Sequence, residues 1–329
     1  MLTTTIAGRT WNFSHSMGRN ADTGNGFTYP TAVVPAPDDQ ILVLNRGMQH
    51  FTDSPVNDRH VNRWTLDEEY LNEFGHAQLI WPSGLALDQE NRIYCSEEYK
   101  HRIFIYNLDG ELLKEWGETG TQPGQLNGPS GLAFDGSDDL FVTDSLSDRV
   151  QKFTNDGDYI SSWGNSGTGP GQFDRPWGIT TDGNGDVYVA DWGNNRVQKF
   201  DPNGNYLLTF GSFNGDGGDL DHPSDVAVDS EGDVYVTDWG NKRVQIYDPE
   251  GDIITALWGD ATQFSKSAQG VIDANPDAVK AYRRVEDLRP LGKFERPRGI
   301  AIDNKNRIIV TDSTRGRLQI YQKEVGYSD

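Results

Sequence analysis

Short apolar runs rich in β-branched and aromatic residues recur along the chain, separated by clusters of Gly, Asp, Asn and Pro. The clearest unit holds four of them: GITTD (178–182), DVYVAD (186–191), RVQKFD (196–201) and YLLTFG (206–211). DGNGD and DPNGN stand between them. Runs of this length bounded by such clusters predict four short antiparallel strands joined by tight turns. The run DVYVADWGNNRVQKF (186–200) has close relatives at 139–153, 233–247 and 307–321.

A proline opens each unit, at Pro30, Pro82, Pro129, Pro176, Pro223 and Pro297, and the four from Pro82 to Pro223 stand 47 residues apart. A fixed period of this size signals a repeat architecture, and four strands per unit make a propeller blade. The fold expected over 1–329 is therefore all-β: a six-bladed β-propeller of four-stranded antiparallel blades at 30–75, 82–117, 129–164, 176–211, 223–259 and 297–323. The last unit lacks a counterpart of YLLTFG, so residues 3–13 are expected to supply its outer strand and close the ring, leaving no open edge between first and last blade. Residues 260–293 interrupt the pattern. There NPDAVKAYRRVEDL offers Asn275 as a cap, Pro276 at the first helical position, and Val279, Tyr282 and Val285 on one face, which predicts a short helical insertion on one face of the disc.

Five units place an acid five residues before an arginine: Glu97 and Arg102, Asp144 and Arg149, Asp191 and Arg196, Asp238 and Arg243, Asp312 and Arg317. Repeated this often, the pair reads as a carboxylate–guanidinium staple across a hairpin rather than as chemistry. The first blade departs from it, with Asn45 and His60 at those positions and RGMQHFTDSPVNDR between them. Alternating carboxylates such as Asp182 and Asp186, or Asp229, Glu231 and Asp233, lead straight into strands and read as hairpin turns rather than calcium loops.

The copies RPWGITTDGNGDVYVADWGNNRVQKFD and HPSDVAVDSEGDVYVTDWGNKRVQIYD resemble NHL repeats, and the pattern covers nearly the whole chain. The resemblance implies a six-bladed propeller that serves as an enzyme, a binding platform or a scaffold. PSDVAV (223–228) is also similar in wording to peptidyl-hydroxyglycine amidating lyases, which implies zinc held by histidines after the blade-opening prolines. Those positions here are Thr31, Ser83, Ser130, Trp177, Ser224 and Arg298. A resemblance to six-bladed lactonase propellers would place calcium on Asn45, Glu97, Asp144, Asp191, Asp238 and Asp312.

Composition narrows the rest. The single cysteine, Cys95, excludes an internal disulfide and stands where a buried valine occurs in sister repeats. A formal charge of −21 argues against nucleic acid and anionic membrane as partners. The first residues lack a basic region followed by an apolar run, and a cytoplasmic location is the expectation.

In antiparallel blades, the connections from strand four to the next strand one and from strand two to strand three emerge on one side. The insertions at 12–28, 46–59 and 260–293 all fall in these connections and are expected to cover one mouth of the channel. Arg46, Arg175, Arg296 and Arg298 with Trp177, Trp192 and Trp239 are expected there, suiting a small anionic or polar ligand. His50, His60 and His222 are the candidate ligands of one divalent metal ion, zinc or calcium. Asp225 replaces the glycine found at Gly84, Gly131, Gly178 and Gly299, and with Glu97 and Tyr99 it is a candidate acid or base. The functional expectation is a lidded small-molecule site, a metal-assisted lyase or hydrolase; the alternative is a platform for a protein partner.

Overall fold

A computed structural model describes all residues except 1, 2, 7, 22, 23, 25, 48–57, 212–218, 283, 285, 286, 288 and 325–329. Six antiparallel sheets form a closed ring. The fourth blade is representative, with strands Pro176–Thr181, Val187–Asp191, Arg196–Phe200 and Tyr206–Phe210 hydrogen-bonded in sequence order. The inner strands of the six blades begin at Pro30, Pro82, Pro129, Pro176, Pro223 and Pro297. Each inner strand lies beside those of its two neighbours, the last beside the first. The second strands are the most buried, because Val187, Tyr188, Val189 and Ala190 and their counterparts pack on both faces of the sheet.

Each junction between adjacent blades has its own apolar cluster. Tyr188, Phe210, Leu220, Val236 and Tyr247 join blades four and five, and Met17, Phe27, Ile41, Trp64 and Leu318 join the last blade to the first. Burial of large side chains at every junction is what makes the ring cooperative, at ~2 kcal/mol for each fully buried aromatic or Leu.

The ring is closed by Arg9–Met17, which pairs with Arg317–Glu324 as the fourth strand of the last blade. The closing strand thus lies further along than 3–13, and Thr3–Ile6 folds back on it as a fifth, outermost strand. Among its described residues the interrupting segment carries three helices, α1 (Lys266–Asp273), α2 (Pro276–Tyr282) and the short α3 (Arg289–Gly292). Asn275 accepts from the Asp277 N–H ahead of α2. Helix α1, which the apolar spacing does not signal, is capped by Ser265 Oγ. None of the described helices is long and apolar enough to cross a membrane.

The acid–arginine pairs are staples in four blades. Arg149, Arg196, Arg243 and Arg317 donate Nε to Asp144, Asp191, Asp238 and Asp312 at 2.7–2.9 Å. The other oxygen of each carboxylate accepts a backbone N–H from the loop entering the inner strand, for example Asp174 N–H to Asp191. The remaining guanidinium N–H groups hold carbonyls of that same loop, as Arg196 holds those of Thr168, Gly169 and Gln172. The second blade differs: Glu97 accepts from the Trp81 and Lys100 backbone N–H groups, while Arg102 turns toward Glu115 at 3.9 Å. In the first blade the Asn45 amide oxygen takes the same loop contact, from Thr28 N–H.

Candidate active site in the channel

Every inner strand is the last strand of its sheet, so its free edge faces the central channel. The third residue of these strands is glycine at 84, 131, 178 and 299 because the neighbouring inner strand passes too close for a side chain. A Cβ at Gly84 would collide with the Ser130 carbonyl, one at Gly131 with the Trp177 carbonyl, and one at Gly178 with Asp225. Asp225 occupies this ring by turning its carboxylate onto the backbone, accepting Val226 N–H at 2.9 Å and Ile300 N–H of the adjacent blade at 3.0 Å. It forms no ion pair among the described residues, and burial raises its pKa to about 7 despite those two hydrogen bonds.

The channel encloses a cavity of about 340 Å³ that reaches Asp225, Arg298, Arg46, Ser83, Glu98 and Trp177. Arg298 stands one residue above the Asp225 layer, with its guanidinium 4.7 Å from the Trp177 ring centroid. Burial and the like charge of Arg46 lower its pKa to about 9, with Tyr29 and Glu98 opposing. No carboxylate forms an ion pair with Arg298 among the described residues. Arg46 is fixed by Ser83 Oγ at 3.0 Å and Glu98 at 2.8 Å, and lies 5.8 Å from the Trp81 ring centroid. Two guanidinium groups face one cavity, and among the described residues only one of them is neutralised, in a protein of formal charge −21.

Of the residues singled out in the sequence, the cavity gathers Arg46, Trp177, Arg298 and Asp225. Trp192 and Trp239 lie beside it in a band: Trp177 stacks on Trp192 at 5.0 Å, His222 sits 4.3 Å from Trp192 and 6.4 Å from Trp239, and Arg296 lies over Trp239 at 4.8 Å. The rings thus contact one another as well as solvent. Arg175 and Arg296 are exposed on the rim. Glu97 is committed to two backbone N–H groups, and Tyr99 is 61% exposed against Trp81. Neither reaches the cavity as a candidate acid or base.

Sequence reasoning missed Glu98, Tyr29 and Trp81. A signal for Glu98 existed: it follows the staple acid, in the column shared by Arg46, Trp192 and Trp239. The described residues of the 260–293 segment do not line the cavity. They pack instead where the last blade meets the first, with Ser265 on the Gly18 carbonyl and Lys266 on Asp67 and Glu68. The expected lid is therefore not formed by these helices.

Of the histidine set, the two described members, His60 and His222, do not come together. His50 lies outside the described residues. His60 is buried in the first blade, 3.1 Å from Asn62 and 3.8 Å from Glu73, with its ring 4.7 Å from that of His76. His222 lies between blades four and five, with Nδ1 2.5 Å from Asp221. No histidine is among the described residues lining the cavity. The carboxylates that a lactonase pattern would give to calcium are likewise engaged, by arginine or by backbone N–H groups. The hairpin carboxylates hold lysines: Lys152 lies between Asp135 and Asp139, and Lys199 between Asp182 and Asp186. The donor sets inferred from the sequence thus do not fit a divalent ion in the channel.

Residues 173–200, 220–247 and 294–321 match the NHL repeat, so the chain carries NHL repeats. No curated protein sequence matches it. Among solved structures, virginiamycin B lyase from Staphylococcus aureus is similar at 13% identity and a TM-score of 0.57, with 95% of this chain and 99% of that one covered. A gluconolactonase from Xanthomonas campestris is similar at 14% identity and a TM-score of 0.60, covering 95% and 98%. A structural genomics protein of unknown function from Bacteroides thetaiotaomicron reaches 0.66 at 16% identity, covering 96% and 76%. At these identities the likeness is one of fold.

Proposed function

We propose that this propeller binds a small anionic molecule in its channel and acts on it as a lyase or hydrolase. The observation that carries the reading is Arg298, a guanidinium in the channel without a carboxylate partner among the described residues, one strand residue above Asp225. In this reading Arg298 and Arg46 hold the anionic group and Trp177 flanks it. Asp225 is the acid–base group, because a carboxyl titrating near 7 can both take and return a proton at neutral pH. In a lyase it would remove a proton from a carbon next to the bound anion; in a hydrolase it would take the proton of an attacking water and return it to the leaving oxygen. The likeness in fold to a lyase and a gluconolactonase supports either class. No metal enters the reading, because the donor sets considered for one are dispersed or engaged.

A protein-binding role is the second reading. It is favoured by the outermost strands of blades two to four, which expose Leu112 and Leu113, Tyr159 and Ile160, and Tyr206 and Leu207. The test is a screen of lactones and hydroxycarboxylates for hydrolysis and elimination, run on wild type and Asp225→Asn together. Turnover lost by a hundredfold or more in the variant supports an enzyme of this kind. Turnover equal in both removes Asp225 from the chemistry. A wild type inert to the whole panel favours the protein-binding role.

A further inference from the structure

Resting on that reading of the channel, we infer that Arg298 and Trp177 form a side-chain gate over Asp225, which an anionic ligand opens by drawing the guanidinium off the indole. At the second position of the inner strands Thr31, Ser83, Ser130 and Ser224 are small, and only Trp177 and Arg298 are large. These two belong to blade four and the last blade, whose inner strands each pack on Pro223–Val228 of blade five, which lies between them. The contact of 4.7 Å from guanidinium to ring centroid therefore spans a whole blade. Ser224 leaves room for it, because its Oγ turns to the backbone and donates to the Arg298 carbonyl at 2.8 Å. One residue further in, the Asp225 carboxyl lies between the same two strands. Gly178 is so close that a Cβ there would strike Oδ1, and the Ile300 N–H donates to Oδ2 at 3.0 Å. The bridge thus crosses on the mouth side of this carboxyl.

The neighbours of Arg298 set its resting position. Arg46 and Tyr29 belong to blade one, on the opposite flank of the last blade from Trp177. Arg46 is fixed by Ser83 and Glu98, so of the two guanidinium groups Arg298 is the one able to swing. The like charge of Arg46 presses it toward the indole, and Glu98, already bonded to Arg46, offsets only part of that repulsion. An anion held between the two guanidinium groups reverses the balance, since charge-assisted hydrogen bonds are stronger than a cation–π contact within reach of water. It draws Arg298 toward blade one and uncovers Asp225. A neutral molecule gives Arg298 nothing in exchange for the indole, and the carboxyl stays covered. Trp177 is then a specificity residue, reserving the acid–base group for ligands that carry the charge that moves Arg298.

NMR of the full-length protein labelled with ¹⁵N-arginine tests this, with benzoate and its neutral counterpart benzamide as probes. The Arg298 Nε–H resonance, assigned by its loss in Arg298→Lys, is expected upfield of free arginine, because a proton over an indole face is shielded, and Trp177→Leu should move it downfield. Benzoate should move the wild-type resonance downfield until, at saturation, it coincides with that of benzoate-saturated Trp177→Leu. Benzamide should leave it in place. In the wild type, nuclear Overhauser contacts between the Arg298 side chain and the Trp177 ring should vanish as benzoate saturates, a readout that does not depend on Trp177→Leu folding. Contacts that persist at saturation, a saturated wild-type resonance still upfield of the saturated variant, or benzamide acting as benzoate does would overturn the gate while leaving an anion site at Arg298. An Arg298 resonance that benzoate leaves unmoved at millimolar concentration would overturn the anion site itself.

Discussion

Lys323, in the strand that receives the N-terminus, places Nζ 2.7 Å from Asp233 Oδ2 in the first turn of the fifth blade, and neither side chain is exposed. Asp229 and Glu231 approach the same ammonium at 2.5 and 2.6 Å. Arg9 of the closing strand adds two bonds to Asp233 at 2.7 and 2.9 Å. In blades three and four the equivalent carboxylates are served by a lysine of their own blade, Lys152 and Lys199; in blade five that position is Ile246, and the cation comes from the next blade. Both strands that close the ring are thus tied to a neighbouring blade by buried charge.

Removing this ammonium leaves three carboxylates facing one another. Lys323→Ala is expected to lower stability by about 3–5 kcal/mol, read from urea unfolding. The clasp also gives alkaline sensitivity a sign. The folded-state pKa of Lys323 is raised, by its bonds to Asp229, Asp233 and Glu231 against the opposing effect of burial. Its contribution is therefore whole below the unfolded value near 10.4 and fades as pH climbs through the folded one.

The staples differ between blades in a way that substitution can read. Arg196→Ala strands the buried Asp191 and frees three loop carbonyls, and should cost about 2–4 kcal/mol. Arg102→Ala removes a partly exposed contact at 3.9 Å and should cost at most about 0.5 kcal/mol. Parallel thermal melts of the two variants distinguish a stapled blade from an unstapled one.

Asp225→Asn is expected to abolish a fall in stability across neutrality. The folded carboxyl titrates near 7 and the unfolded one near 4, so the folded state holds the extra proton between those values and wild-type stability falls as pH rises across them. An amide has no such loss. The variant should lack this fall, which in wild type amounts to about 2 kcal/mol between pH 4 and 8 after discounting for water in the channel; with one acceptor oxygen for the Val226 and Ile300 N–H groups, it should be the less stable of the two below pH 4. Urea unfolding at both pH values measures it.

Arg298→Met should likewise raise stability, by about 1 kcal/mol, while abolishing binding of an anion in the channel. The wild-type guanidinium is held partly out of solvent beside Arg46, and its removal relieves that cost at the expense of the ring contact with Trp177. A melting temperature that drops instead would mark Arg298 as a structural residue.

Much of this was legible in the sequence because repetition exposes deviation. Six prolines and a steady period announced the blades. Asp225 stood out as the acid in a column of glycines, and Arg298 and Trp177 fell where serine or threonine stands in the other blades. Glu98 was hidden beside Glu97: adjacent residues of one type take opposite roles, one gripping backbone N–H groups and the other facing Arg46, and only the side-chain direction separates them. The separation of His60 and His222 could be read from their different blades, but not the burial of His60 against Asn62, Glu73 and His76. Helix α1 is only eight residues long with Gly270 in its interior, and its anchors, Gly18, Asp67 and Glu68, lie far away in sequence.

The central claim is that Asp225 titrates near neutrality in a channel made positive by Arg298. The most direct measurement is a ¹³C NMR titration of the Asp225 carboxyl, assigned by its disappearance in Asp225→Asn. The account predicts a midpoint near 7. A midpoint near 4 would contradict it, showing a carboxylate that is ionised throughout the neutral range and cannot return a proton there.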